Sequence, residues 1–153
     1  MRGRPTPRRV FWASWAVFML LASVWAVSNP LMASPDEPAH VVEAASVVRG
    51  QLVGPQTTGG SEVQVPYFYQ LVTAYPVCYM FHPETTGVCE PHATQPLDEE
   101  ARAVTPAGRY NPVYYAVVGL PTLLPSGDGV LYAMRLVSAA LCTFLLALGM
   151  RAV

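Results

Sequence analysis

A short acidic segment with one histidine holds the residues best suited to chemistry in this sequence. Asp36, Glu37 and His40 lie close together in a chain in which only 12% of the residues are charged. A carboxylate can accept a proton from a hydroxyl group or bind a hard cation, and a histidine can exchange protons near neutral pH. The segment therefore has the residues for acid–base or metal-assisted chemistry.

The structural alternative is that this segment only starts a helix. Ser34 and Glu37 have the spacing of a capping box, and Pro35 suits a first helical turn. An acid at this position would also complement the helix dipole. For these residues taken alone, the structural interpretation is the more common one.

The residues that follow predict an amphipathic helix over residues 35–49. Apolar residues recur there at helical spacing as far as Gly50, which is a typical helix stop. At 100° per residue, Asp36, His40 and Glu43 are expected to share the polar face.

Two long apolar runs predict membrane-spanning helices at residues 10–32 and 130–150. The chain has 153 residues, of which 52% are hydrophobic, and its charged fraction is well below the roughly 25% of a soluble domain. Both runs are long enough to cross a bilayer core. The tail at residues 1–9 has four arginines and no acid, which predicts a cytoplasmic N-terminus and a return to the cytoplasm at residues 151–153.

The first apolar run could instead be a signal peptide, whose cleavage would leave a secreted domain. Small residues at 26–28 suit a signal peptidase. However, the run is longer than the signal core of about 7–15 residues that is typical. A retained anchor is therefore favoured.

Residues 33–129 are predicted to form one long, partly irregular exoplasmic loop. After the helix at 35–49, the sequence predicts an irregular stretch at 51–64, a short strand or extended segment within 63–79, and a solvated helix start at 98–100. Near its end, an apolar segment at 113–124 is too short to span and is expected to lie in the membrane interface.

The predicted fold class is therefore an all-α integral membrane protein. It has two transmembrane helices, a juxtamembrane amphipathic helix and the long exoplasmic loop. The lipid bilayer is its expected partner. No basic patch with interleaved aromatic residues is present, so nucleic acid is not an expected partner.

Cys78 and Cys89 lie in the predicted exoplasmic loop, where such a pair usually forms a disulfide bond. The alternative is a zinc site in which His82 and His92 join the two cysteines. Their spacing matches none of the usual zinc patterns, so the disulfide is favoured and no metal site is predicted here.

Three segments in a fixed order carry a resemblance to a known family. They are residues 34–40 (SPDEPAH) after the first span, residues 109–115 (RYNPVYY) before the second apolar block, and residues 134–136 (MRL) early in the second span. With them the chain resembles the N-terminal part of the bacterial polytopic membrane proteins catalogued as domain of unknown function 2142. Those proteins in turn resemble GT-C-fold glycosyltransferases. Because the family has many more spans than the two predicted here, we expect a truncated or split member that is inactive by itself.

The resemblance implies sugar transfer from a polyprenyl-phosphate donor, by a multi-pass protein of the bacterial inner membrane. Asp36, with Glu37 and His40, would be catalytic, and Asp36 would serve as the base or as a ligand of a divalent metal. Four further residues would contact the phosphate or the substrate: Arg109, Tyr110, Tyr114 and Arg135. Further spans, from another chain, would complete the site.

A second hypothesis is that the exoplasmic loop binds a partner and that the chain catalyses no reaction. In that case the chain is a small two-span protein whose exoplasmic loop binds a partner. The sequence does not name that partner.

Overall fold

The computed structural model describes residues 6–87 and 91–152 and divides the chain into two compact units. The first unit comprises Met1–Asn29 and Arg135–Val153, and the second comprises Pro30–Met134. Most of the predicted site residues belong to the second unit, and Arg135 belongs to the first.

Two long apolar helices dominate the ends of the chain: α1 (Pro7–Ser28) and α6 (Asp128–Ala152). At the start of α1, Thr6 accepts a hydrogen bond from the amide of Arg9 and Pro7 occupies the first turn. Both helices are long and apolar enough to cross a membrane by length and composition. They overlap the runs at 10–32 and 130–150 from which the sequence predicts spans, although α1 ends at Ser28.

The second unit is built from short helices and strands. The elements that the structure describes are α2 (Glu37–Val47), β1 (Gln56–Thr57), β2 (Gly60–Pro66), α3 (Tyr67–Leu71), α4 (Tyr75–Tyr79), β3 (Glu100–Thr105) and α5 (Pro112–Val118). Two 3₁₀ turns, Val72–Ala74 and Leu120–Leu123, follow α3 and α5.

A small antiparallel sheet of order β1-β2-β3 makes the all-α prediction wrong. The protein is mostly helical, but β2 pairs with β3 so that Val63 lies opposite Ala103 and Ser61 opposite Thr105. Alternate residues of β2 are buried, as expected for a strand with one face on a core. Glu100 begins β3, so the predicted helix start at 98–100 is also wrong, because pairing with a distant strand decides this segment.

The helix α2 is the buried centre of the second unit and is not amphipathic. Residues 41–47 are all buried, including Glu43, because α2 packs against β2, β3, α3 and α5. The prediction that Glu43 lies on an exposed polar face is therefore wrong, because neighbouring elements cover both sides of the helix.

Both ends of α2 differ in detail from the sequence prediction. Asp36 is the N-cap in place of Ser34, so the capping box does not form. At the other end Gly50 has a φ of 84°, and its amide and that of Gln51 bond to the carbonyls of Val47 and Ser46. This is a Schellman motif, which needs a residue tolerant of positive φ.

The predicted interfacial segment consists of α5 and the 3₁₀ turn that follows it. Asn111 caps α5 by accepting a hydrogen bond of 3.0 Å from the amide of Val113, and Pro112 occupies the first turn. Gly119 joins the two helices. The segment has exposed large apolar residues along its length: Val113, Val117, Leu120, Leu123 and Leu124.

The predicted disulfide bond lies partly outside the described residues. Cys78 is in α4, with its Sγ 3.4 Å from the carbonyl oxygen of Tyr75. Cys89 is not among the described residues, so the bond, like the zinc alternative that needs the same residue, stays a prediction.

Candidate functional site

His40 is the point at which the two predicted motifs meet. Its Nδ1 lies 2.6 Å from the hydroxyl oxygen of Tyr115. The imidazole also stacks near the rings of Tyr110 and Tyr115, with centroid distances of 5.8 Å and 5.9 Å and interplanar angles below 20°. Segments 34–40 and 109–115 therefore form one site in the second unit, the His40–Tyr115 site, although they lie far apart in sequence.

Tyr115 occupies this position because α5 packs against α2. Its ring is only 3% exposed. Burial, the largest cause, acts together with the nearby carboxyl of Glu43 and the hydroxyls of Tyr114 and Tyr110 to raise the pKa of Tyr115 to about 12. The phenol therefore keeps its proton at neutral pH, so Tyr115 can donate to an unprotonated Nδ1 of His40.

Asp36 lies one turn before His40, at the N-terminal end of α2. Its side chain is exposed and makes no capping hydrogen bond with any residue that the structure describes. Its backbone carbonyl accepts a bond of 3.1 Å from the amide of His40. Glu37 follows, half-buried, in the first turn. The carboxylate of Asp36 is thus open to a solvent-borne group.

The rings of Tyr110 and Tyr114 contact His40 and Tyr115 respectively, and Arg109 precedes Tyr110 in the chain. Arg109 is exposed in the turn that precedes α5, and that turn is closed by a 3.0 Å bond from the amide of Tyr110 to the carbonyl of Ala107. Tyr110 is 62% exposed and Tyr114 is 43% exposed. Two tyrosines that contact the His40–Tyr115 pair are therefore open to solvent, and Arg109, next to Tyr110 in the sequence, is exposed as well.

Arg135 lies in the first unit and binds backbone there. Its Nη1 donates to the carbonyl oxygens of Ala26 and Asn29, at 2.7 Å and 2.8 Å. These carbonyls end α1, where the helix dipole favours a cation and the last carbonyls lack helical partners. The structure thus does not bring Arg135 into the unit that holds His40.

Arg49 is a structural arginine that sequence reasoning left without a role. Its guanidinium donates to the carbonyl of Ala45 at 2.8 Å and to the hydroxyl and carbonyl of Thr122 at 3.0 Å and 2.6 Å. The same group lies 5.6 Å from the ring centre of Tyr69. Arg49 therefore joins α2, α3 and the 3₁₀ turn after α5 behind the site.

Glu43 is the residue of the site that the sequence misassigned. It is 1% exposed, and neither side-chain oxygen has a hydrogen-bond partner in the part of the chain that the structure describes. Burial raises the pKa of Glu43 above its ordinary value. The only feature of the sequence that placed Glu43 near this site was its position three residues after His40, because residues at that spacing are neighbours on a helix.

The described residues do not supply a metal site at Asp36. Among residues 6–87 and 91–152, no group of three or more His, Cys, Asp and Glu side chains is placed to hold a metal ion. A divalent cation usually needs several oxygen ligands at once. We therefore derive no step through a metal.

These features define a membrane protein with two candidate spanning helices and a mixed helix–sheet unit in the intervening sequence. A family model described as Predicted membrane protein (DUF2142) matches residues 18–153, which include both motifs of the His40–Tyr115 site. The chain belongs to this family. Comparisons with curated proteins and with solved structures found no match.

Proposed function

We propose that this chain is part of a GT-C-like glycosyltransferase that takes its sugar from a polyprenyl-phosphate donor and works together with further membrane spans. The observation that carries this proposal is the contact of His40 with Tyr115 and Tyr110. It unites the acidic motif at 34–40 and the aromatic motif at 109–115, on which the resemblance to GT-C enzymes depends.

In the proposed reaction Asp36 is the catalytic base. Its exposed carboxylate accepts the proton of the acceptor hydroxyl while the oxygen attacks the anomeric carbon of the sugar. The bond from that carbon to the phosphate oxygen breaks, and the polyprenyl phosphate leaves with the electron pair. Glu37 and His40 line the same end of α2, and His40 is oriented there by Tyr115.

Arg109 is proposed to neutralise the departing phosphate. A guanidinium can bind two phosphate oxygens at once, and a cation near the leaving group lowers the barrier. Tyr110 and Tyr114 are proposed to contact the substrate from the same side. A phosphate contact by Arg135 is proposed only as a secondary role. Its Nη1 already donates to the carbonyl oxygens of Ala26 and Asn29 at the end of α1.

The apolar face of the segment at 113–124 supports a place for this site at the lipid surface. Its exposed valines and leucines would enter the interface, and Tyr110 and Tyr114 would sit at headgroup level. A polyprenyl-linked sugar presents its phosphate at the same depth. The proposal therefore places the base and the phosphate contacts where the donor is available.

The proposed location is the inner membrane of a bacterial cell, with a cytoplasmic N-terminus and an exoplasmic second unit. The four arginines within residues 1–9 support this orientation. A disulfide bond between Cys78 and Cys89 would suit an exoplasmic compartment and is proposed on that ground.

Asp36→Asn tests the proposed function. In membranes that contain this protein and its further spans, the substitution should reduce transfer of label from a polyprenyl-phosphate sugar by about 100-fold or more, because an amide cannot accept the proton. The melting temperature should stay unchanged, since asparagine is nearly isosteric and Asp36 is exposed. Glu37→Gln should have a smaller effect.

The matched control is Glu99→Gln, the same change of a carboxylate to an amide at another exposed position. It should leave transfer unchanged. Full activity of Asp36→Asn would return the motif to the structural interpretation, in which it only starts α2.

A further inference from the structure

Glu43 stands out from the other acids in the described chain because it is buried on every side. It lies in the middle of α2, between the sheet and α5. Gly108, in the turn before α5, has no side chain, so Ser61 and Glu43 can approach its backbone closely. A side chain there would collide with the hydroxyl of Ser61 and lie 3.5 Å from Oε2 of Glu43. The carboxyl group thus occupies a space that closely packed backbone encloses.

No described residue compensates a charge at this position. Neither oxygen of Glu43 has a hydrogen-bond partner within the described residues, and desolvation alone raises its pKa. An ionised carboxylate without partners is far more costly to bury than a neutral one. The enclosed geometry therefore selects the protonated form.

The titratable groups on the surrounding elements do not change this conclusion. Arg102 on β3 pairs with Glu62 on β2 at 3.6 Å, and Arg49 is bonded to Thr122. The groups on α2 and on the elements packed against it are Asp36, Glu37, His40, Arg49, Glu62, Tyr67, Tyr69, Glu100, Arg102, Arg109, Tyr110, Tyr114 and Tyr115.

We propose that Glu43 is a neutral carboxylic acid in the folded second unit, and that its ionisation is a pH switch that loosens the packing of α2 on α5. Tyr115 lies on α5, which packs against α2, and its hydroxyl is bonded to His40 on α2. An ionised Glu43 would have to reach water, and α2 would move away from α5 to let it do so. The His40–Tyr115 bond is then lost. This inference does not depend on the proposed sugar transfer.

The sign of the pH dependence follows from the raised pKa of Glu43. Below its ordinary value of 4.5, the carboxyl is protonated in both the folded and the unfolded chain. Above it, the unfolded chain loses the proton while the folded unit keeps it, so the stability of the unit falls as the pH rises. The fall ends once the pH passes the folded pKa and the folded unit ionises as well.

Glu43→Gln tests the switch in the full chain, purified in detergent. From about pH 5 to about pH 8, the melting temperature of the wild type should fall by several degrees relative to that of Glu43→Gln. Only the wild type carries the titrating carboxyl group. In the infrared spectrum near neutral pH, the wild type should show the carbonyl stretch of a protonated carboxyl, and this band should be missing in Glu43→Gln. Glu99→Gln, with an exposed carboxylate, should change neither measurement.

Glu43→Met is a second variant that separates this inference from a general packing role. Methionine is uncharged and has no hydrogen-bonding group to satisfy, so the unit should fold and should lose the same pH dependence. A pH-independent difference in melting temperature, or an infrared band that persists in Glu43→Gln, would overturn the proposal. Failure of both variants to fold would also overturn it, because it would mean that the carboxylate is needed in a bonded, charged form.

Discussion

At the scale of single residues, the hydroxyl of Tyr115 decides how the two motifs join. It contacts His40 at 2.6 Å from a nearly fully buried position. Tyr110 approaches the same imidazole through a ring contact, and the residue as a whole is largely exposed. The two tyrosines therefore allow a hydrogen bond and a ring contact to be separated experimentally.

Tyr115→Phe should lower the free energy of unfolding of the second unit by about 1 kcal/mol, because the half-buried imidazole of His40 loses its partner while the ring stays in place. Hydrogen exchange of the amides of α2 in the full chain would measure this loss. Tyr110→Phe is the matched control and should change the value by less than about 0.5 kcal/mol. Equal effects of the two variants would mean that the hydroxyl of Tyr115 has no special role.

Residue types allowed part of this site to be predicted. Asp36 and His40 were singled out because their chemistry is unusual in an apolar chain, whereas Arg109 and Tyr110 were named from the family resemblance. The structure places all four in the second unit. Glu43 was predicted to lie on a polar face but is buried. Helical periodicity tells which side of a helix a residue occupies, but it does not tell which elements pack against that side.

At the scale of elements, the close approach of α5 to α2 holds the site together. Gly119, which ends α5, faces the backbone of α2 so closely that a methyl group there would collide with the carbonyl oxygen of Ala44. It would also lie 2.7 Å from a methyl group of Val48 and from the carbonyl oxygen of Tyr115. Contacts with backbone cannot be relieved by changing a rotamer, so this glycine is required by packing.

Gly119→Ala should therefore destabilise the second unit by about 1–3 kcal/mol, the usual range for overpacking. Gly127→Ala provides the control, because a methyl group there meets nothing within 4 Å, and it should change stability by less than about 0.5 kcal/mol. Thermal unfolding of the two variants in the same detergent makes the comparison. A Gly119→Ala protein as stable as Gly127→Ala would contradict the close contact between α5 and α2.

At the scale of the whole molecule, hydrophobicity and charge divide the chain. The two candidate spans, α1 and α6, are mostly apolar, and nine of the ten acids lie between them; the tenth, Asp128, begins α6. Four arginines lie within residues 1–9, before or in the first turn of α1, and Arg151 lies in the last turn of α6. This distribution predicts that both ends of the chain face the cytoplasm and that the second unit faces outward.

Labelling with a membrane-impermeant maleimide tests this orientation in a Cys142→Ser background. Thr58→Cys, at the exposed turn between β1 and β2, should react in intact cells. Ala152→Cys, at the end of α6, should react only after the cells are lysed. Labelling of Ala152→Cys in intact cells would mean that the segment at 113–124 also crosses the membrane.

The two apolar helices, the helix that starts near Asp36 and the break at Gly50 could all be predicted locally, because each depends on periodicity, capping or glycine conformation. The pairing of β2 with β3, the burial of residues 41–47 of α2 and the contact of His40 with Tyr115 were visible only in the folded chain. These features are contacts between residues far apart in the chain. Their free energy comes from burial and hydrogen bonding to distant partners, and no local pattern specifies which partners those are.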